Sequence, residues 1–292
     1  MGQYISSPSS TINILKDNKV RLTKTLGQNY LIDTNIAKKI VKYSDIRSSE
    51  YILEIGSGIG SLTELILPEC KKVVCVELDR KISEIFKGLF EDYIGNKIVF
   101  LQEDALKIDY EGFLSRYKID KVVSNLPYKI AAPLVIKMLI ASKKGSSFYL
   151  TIQKDIADRM TASLRDKNYN AFSIKMKALS AVDVLFKVSQ NCFYPKPHVD
   201  SVFIKIVKDM SLLPPILCEK QELSRFFDFL DNCFRHRRKR LISCLKEHNI
   251  SSIDNMDLES KILSCIGKNK DVRPEELDIK DFIYLYNKII SG

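Results

Sequence analysis

The chain has 292 residues, is 45% hydrophobic and carries a net charge of +10. That apolar content suits one large domain and a smaller one, and no apolar stretch approaches the roughly 20 residues that cross a bilayer as a helix. Seven cysteines with no Cys-x-x-Cys spacing, and only three histidines (His198, His236, His248), exclude a zinc site and a disulfide framework; buried thiols in a reducing cytoplasm, and no metal, are expected.

Residues 1–25 read as a flexible basic arm bearing Lys16, Lys19, Arg21 and Lys24, without the charged start and apolar middle of a secretory leader. From about residue 50, short Val- and Ile-rich runs alternate with helically spaced segments. Strands are predicted at Tyr51–Ile55, Val73–Leu78, Ile98–Leu101, Lys121–Ser124 and Phe148–Ile152, with helices over 61–70, 80–93 and 131–142 between them. Such alternation implies an α/β fold, a doubly wound and mostly parallel sheet. Val182–Val188 and Val202–Val207 add a sixth and a seventh strand, and with no helix-length segment between them this last pair should be antiparallel. Leu212-Leu213-Pro214-Pro215 reads as a linker, and 221–248, 258–266 and 278–290 as helices of a small all-α domain. The predicted organisation is therefore the arm at 1–25, an α/β domain at 26–208 and a helical domain at 209–292.

The charge is unevenly placed. Residues 1–208 hold 32 Lys and Arg against 22 Asp and Glu, whereas residues 209–292 hold 14 of each. In the second part the basic charge gathers in Arg235-His236-Arg237-Arg238-Lys239-Arg240. A polyanionic partner is expected, with Arg235, Arg237, Arg238, Lys239 and Arg240 on its phosphates.

Residues 51–60 run from a strand into Gly56-x-Gly58-x-Gly60 and then a helix. Glycines there let the backbone turn tightly and approach a ligand. The spacing is not the Gly-x-Gly-x-x-Gly of a pyrophosphate cradle. Glu54, two residues upstream, would repel a phosphate but suits an amino-acid ammonium. Glu77 closes the second strand, 21 residues after Gly56, where an acid can accept from both hydroxyls of a ribose. Asp104 closes the third, where a carboxylate can accept from an adenine amine, and Asn125 closes the fourth. A ligand with an ammonium, a ribose and an adenine but no phosphate is S-adenosylmethionine, and its methyl is the group transferred.

Asn125-Leu126-Pro127-Tyr128 supplies the acceptor side. An exocyclic adenine amine is a poor nucleophile because its lone pair is delocalised. The Asn125 side-chain oxygen and the Leu126 or Pro127 carbonyl could hold its two N–H groups out of plane. Tyr128 would stack on the base, worth about 1–3 kcal/mol.

These motifs resemble those of the bacterial small-subunit (16S) rRNA adenine N6,N6-dimethyltransferases, over about Leu26 to Ile289. Leu26-Gly27-Gln28-Asn29-Tyr30-Leu31 is similar to the family's Gly-Gln-Asn-Phe-Leu motif, which implies that Asn29 and Leu31 contact the donor. Glu54–Gly60, Glu77-Leu78-Asp79-Arg80, Asp104-Ala105 and Asn125–Tyr128 match successive blocks, placing Leu78 and Ala105 at the donor too. Gln153-Lys154-Asp155 through Arg159 resembles the helix after the fifth strand. Phe193-Tyr194-Pro195-Lys196-Pro197-His198-Val199-Asp200-Ser201 resembles the Phe-x-Pro-Pro-Pro-Lys-Val-Asp-Ser loop and implies that Phe193 is a second aromatic at the target base. Phe234 to Leu241 and Arg273 to Leu277 resemble the basic helix and an Arg-x-Glu-x-Leu segment of the family's C-terminal domain. Lys196, His198 and the stretch Tyr169-Asn170-Ala171-Phe172 depart from the pattern. The resemblance implies a Rossmann-like class I methyltransferase sheet with an rRNA-binding helical domain, acting as a monomer. Its expected substrate is two adjacent adenosines in the 3′-terminal hairpin of 16S rRNA on an immature 30S subunit. Two other readings share the fold: resistance-type methylation of a 23S rRNA adenosine, and a non-catalytic rRNA-binding assembly factor.

Overall fold

The structure, a computed structural model, describes residues 4–20, 27–236, 239–246, 263 and 266–290. The chain divides into two units, one of residues 1–157 with 182–208 and one of residues 158–181 with 209–292. The stretch 158–181, assigned by sequence to the α/β domain, thus belongs to the helical unit.

The first unit is built on a seven-stranded sheet. Its strands are β2 (Tyr51–Ile55), β3 (Lys72–Glu77), β4 (Ile98–Gln102), β5 (Lys121–Asn125), β6 (Ser147–Gln153), β7 (Ser180–Val188) and β9 (Ser201–Lys208). Their order is β4-β3-β2-β5-β6-β9-β7. β2 to β6 pair in parallel, and β9 runs antiparallel to β6. The order reverses between β2 and β5, and ligands of such sheets bind beyond the carboxyl ends of the strands at that switch point. β2 and β5 end at the Gly56 turn and at Asn125, so the two motifs are brought side by side by topology alone.

A short second sheet pairs β1 (Tyr30–Leu31) with β8 (Phe193–Tyr194), Tyr30 opposite Tyr194 and Leu31 opposite Phe193. It ties the Asn29 motif to the loop between β7 and β9. Local chemistry sets the helices around it. Asp33 caps α2 (Thr34–Tyr43) by accepting from Ile36 N–H at 3.0 Å. Asp79 caps α4 (Arg80–Leu89) through Lys81 and Ile82 N–H. Ile82, Ile85 and Phe86 then fall on one face of α4 and are buried, each side chain contributing roughly 1.5–3 kcal/mol. Gly60 is held by packing: a Cβ there would stand 2.2 Å from Phe90 Cε2. The remaining helices of this unit include α3 (Thr63–Ile66), α5 (Tyr110–Arg116) and α6 (Ala131–Ala141).

The arm expected over residues 1–25 is in part a packed helix. α1 (Pro8–Asp17) begins at a Ser7 cap with proline in its first turn, and buries Thr11 and Leu15. Ile5 N–H donates to the Glu64 carboxylate at 3.0 Å, and Leu15 joins Tyr30, Ile59, Ile82 and Ile85 in one apolar cluster. The flexible arm is corrected here for residues 4–20; residues 1–3 and 21–25 lie outside the described part.

The helical unit contains α8 (Ala171–Leu179), α9 (Pro215–Cys218), α10 (Lys220–Phe234), α11 (Leu241–Lys246) and α12 (Ile279–Ile290), with α7 (Lys154–Met160) at the boundary. Its core is aromatic: Phe226 and Phe229 on α10 meet Tyr286 on α12 at 5.3 and 5.6 Å between ring centroids. Asn170 explains one departure from the family pattern. Its side chain accepts from Phe172 and Ser173 N–H while Ser173 Oγ accepts from Asn170 N–H, a capping box that starts α8. The continuous helix expected over 221–248 is corrected. α10 ends at Phe234, where the run of cations begins, and like charges one turn apart oppose a helix; Leu241 N–H bonds to Val272 O instead. The helix expected over 258–266 falls almost wholly outside the described residues.

Candidate active site

A cavity of about 280 Å³ opens at the carboxyl ends of β2, β3, β4 and β5. Asn29, Leu31, Glu54, Gly56, Gly58, Glu77, Leu78, Asp104, Ala105 and Asn125 all line it, as do Leu126 and Pro127. The sequence reading passed over Gln28, Tyr30, Ser57, Ser61, Leu106 and Lys129, which also line it. Proximity to the motifs was the only signal for these.

The turn at Gly56 is fixed by its own N–H, which donates to Val76 O at 2.7 Å. Gly58 N–H donates to Glu77 Oε2 at 3.0 Å, while Leu78 and Asp79 N–H donate to Glu77 Oε1 at 2.9 Å. Three backbone donors thus fix the Glu77 carboxylate and leave it lone pairs for hydroxyls. Burial nevertheless raises its pKa, against those hydrogen bonds. Glu54 is 2% exposed and accepts from Thr63 Oγ1 at 2.6 Å. Burial, with Glu77 adding to it, pushes its pKa up to about 8 against the Thr63 hydrogen bond. A cation placed beside this carboxyl would restore its charge. Asp104 is half-buried and accepts from Leu106 N–H at 3.0 Å.

Asn125 sits where β5 ends. Its amide Nδ2 donates to Asn29 O at 3.0 Å, which turns Oδ1 the other way. That oxygen is buried and has no partner among the described residues. A buried acceptor without a protein partner is uncommon, and this one belongs to a residue of the cavity wall. Leu126 N–H is tied to Thr151 O at 3.1 Å, and the Pro127 carbonyl accepts from Ile130 N–H at 3.2 Å. The Leu126 carbonyl is therefore the freer of the two candidate backbone acceptors.

Tyr128 and Phe193 are outside the cavity wall as described. Both are buried, their ring centroids are 6.3 Å apart and their planes stand at 73°. The Tyr128 hydroxyl pairs with Ser201 Oγ at 2.7 Å and Phe193 is fixed in β8, so the rings meet edge to face. Lys196 and His198 are exposed, so their departures from the pattern fall on the surface.

The cationic run lies in the helical unit, and there Arg235, Lys239 and Arg240 are exposed, with Arg240 paired to Asp271 at 3.3 Å. Arg237 and Arg238 lie outside the described residues. Among the described residues no cluster of three His, Cys, Asp or Glu side chains could hold a metal, and no helix is long and apolar enough to cross a membrane.

The cavity's chemistry fits the donor inferred from sequence. Tyr30, Ser57 and Ser61 hydroxyls and Asn125 Oδ1 are buried orphans, all on residues of its wall, alongside the carboxyls of Glu54, Glu77 and Asp104.

Comparison with known proteins agrees. A family model described as ribosomal RNA adenine dimethylase matches residues 19–278. Ribosomal RNA small subunit methyltransferase A of Halothermothrix orenii is 32% identical over 99% of this chain and 95% of that protein. The protein of the same description from Malacoplasma penetrans is 34% identical over 94% and 93%. A dimethyladenosine transferase from Plasmodium falciparum superposes with a TM-score of 0.69 at 29% identity, covering 88% of this chain and 96% of that one. The 23S rRNA methyltransferase ErmE, at 18% identity and a TM-score of 0.59 over 89% and 99%, shares the fold.

Proposed function

The chain belongs to the ribosomal RNA adenine dimethylase family, and on that premise we propose that its acceptor is a pair of adjacent adenosines in the 3′-terminal hairpin of 16S rRNA, presented on an immature 30S subunit to a monomer in the cytoplasm. The enzyme is an rRNA adenine dimethyltransferase that uses S-adenosylmethionine. The observation that carries the acceptor chemistry is the orphaned Oδ1 of Asn125 at the wall of the donor cavity.

When bound, the donor supplies an already activated methyl, so this chain's task is orientation. Glu54 neutralises the donor's ammonium, Glu77 accepts from its ribose and Asp104 from its adenine amine; Asn29, Leu31, Gly56, Gly58, Leu78 and Ala105 shape the wall against it. Asn125 Oδ1 and the Leu126 carbonyl accept the two N–H groups of the target amine and keep its lone pair out of the ring system. Tyr128 and Phe193 form the platform for the base. A methylated amine nitrogen bearing positive charge loses its proton readily, so no general base is required of the chain.

Purified protein with labelled donor should methylate 30S particles from cells lacking the modification and leave naked 23S RNA unlabelled. Label in 23S RNA would favour the resistance-type reaction, and no label in either with intact donor binding would favour a non-catalytic assembly factor.

A further inference from the structure

Of the four buried orphan atoms at the cavity, Asn125 Oδ1 has a task, and the hydroxyls of Ser57 and Ser61 belong to the glycine turn itself. The Tyr30 hydroxyl stands apart. The residue is 7% exposed and lies on β1, outside that turn. Its ring packs in a cluster with Leu15, Ile59, Ile82 and Ile85, a nest that phenylalanine would fill equally well. An unsatisfied buried hydroxyl is a cost that packing alone gives no reason to bear.

The surroundings indicate what meets it. Tyr30 Cε1 lies 3.2 Å from the position a Cβ on Gly58 would take, and Gly58 N–H donates to Glu77 at 3.0 Å. Ring, turn and carboxylate therefore form one continuous stretch of wall. Burial, and then the charges of Glu77 and Asp79, hold the phenol well above its ordinary pKa, so it remains a donor. The Asp79 carboxylate is occupied by Gln28 Nε2 and by the N-cap bonds of α4, and neither Asp79 nor Glu77 pairs with the phenol oxygen. The group expected beside Glu77 is the donor's ribose, which presents hydroxyl and ring oxygens.

We propose that the Tyr30 hydroxyl donates a hydrogen bond to the ribose of bound S-adenosylmethionine, a role that rests on the donor site assigned above. It makes Tyr30 a binding residue held from behind by Leu15 of the N-terminal helix.

Calorimetric titration of the full chain and of Tyr30→Phe with S-adenosylhomocysteine and with 5′-methylthioadenosine tests this. The second ligand keeps the ribose and adenine and lacks the amino acid. The substitution should weaken both by the same factor, about five- to tenfold, while the melting temperature without ligand stays level or rises. Equal affinities for the two proteins would overturn the inference and leave the donor site standing. Weakening confined to S-adenosylhomocysteine would move the hydroxyl to the amino-acid end and overturn the ribose assignment. A wild-type protein that binds neither ligand would remove the donor site and the inference together.

Discussion

Gly56 and Pro127 face each other across the mouth of the site at a distance that no side chain permits. A Cβ on Gly56 would stand 2.9 Å from both Cδ and Cγ of Pro127, and Gly56 has φ +71°. The glycine turn and the Asn125–Tyr128 segment, the proposed donor and base halves of the site, are thus packed directly on one another. Gly56→Ala must push Pro127 away and adopt a disfavoured backbone, a strain of about 1–3 kcal/mol. It should depress S-adenosylhomocysteine affinity and methyl transfer together, measured by calorimetry and by labelled-donor assay. Loss of one with full retention of the other would show that the contact does not couple the two halves.

Asn125→Ala separates them. It deletes the orphan Oδ1 and the hydrogen bond to Asn29 O. One neutral hydrogen bond contributes about 1 kcal/mol, so donor affinity should stay within roughly fivefold. Transfer should fall by on the order of a hundredfold or more, as for other preorganised polar groups at a reacting atom. A variant that still turns over at the wild-type rate would refute the role given to Oδ1.

Glu54 predicts a pH dependence. Its folded pKa is raised from 4.5 to about 8. Across that window the folded protein without ligand keeps a proton that the unfolded chain has released, so stability should fall as pH rises from about 4.5 and level off beyond about 8. Thr63 and Cys75 face the carboxyl, and the next charge is Glu77, so no cation of the described residues offsets this. A ligand ammonium favours the ionised form. Binding of S-adenosylhomocysteine near pH 7 should therefore release a proton and tighten toward pH 8, by at most about tenfold per unit. Titrations in buffers of different ionisation enthalpy read this directly. Glu54→Gln should show neither effect, and 5′-methylthioadenosine, which lacks the ammonium, should show neither with the wild type.

What could be read from the sequence follows from how local each signal is. The strands predicted at Tyr51–Ile55 and Lys121–Ser124 were legible because central parallel strands are continuous runs of apolar residues ending in turn chemistry. That Glu54, Glu77 and Asp104 line one cavity was legible because strand ends in such a fold fall on one edge. β1 and β8 were not, since two residues cannot show a period, and their pairing joins Leu31 to Phe193 across 162 positions. α1 buries only Thr11 and Leu15, too few for a stripe, although Ser7-Pro8 is a start signal. The allocation of 158–181 to the helical unit is a matter of long-range contact: Tyr169 Oη donates to Leu277 O at 2.9 Å. The orphaned Tyr30 hydroxyl was invisible because satisfaction is a property of neighbours.

The cationic run gives the last prediction. Of the run's described residues, Arg235, Lys239 and Arg240 fall where α10 has ended and before α11 begins. If they meet rRNA phosphates, their charge should appear in the salt dependence of 30S binding. Replacing Arg237, Arg238 and Lys239 by Gln should lower affinity and reduce the slope of log K against log salt by about 0.7–0.9 per lost contact. Arg240→Gln provides an internal comparison. Arg240 already has Asp271 at 3.3 Å, both side chains being more than half exposed; such a pair contributes little to stability but partly neutralises the cation, so the slope should change less. S-adenosylhomocysteine affinity should stay constant in both variants, because the described residues that line the cavity all belong to the first unit. An unchanged slope in the triple variant would mean that the run is solvated charge and that the excess of 32 basic over 22 acidic residues in 1–208 carries the rRNA contact instead.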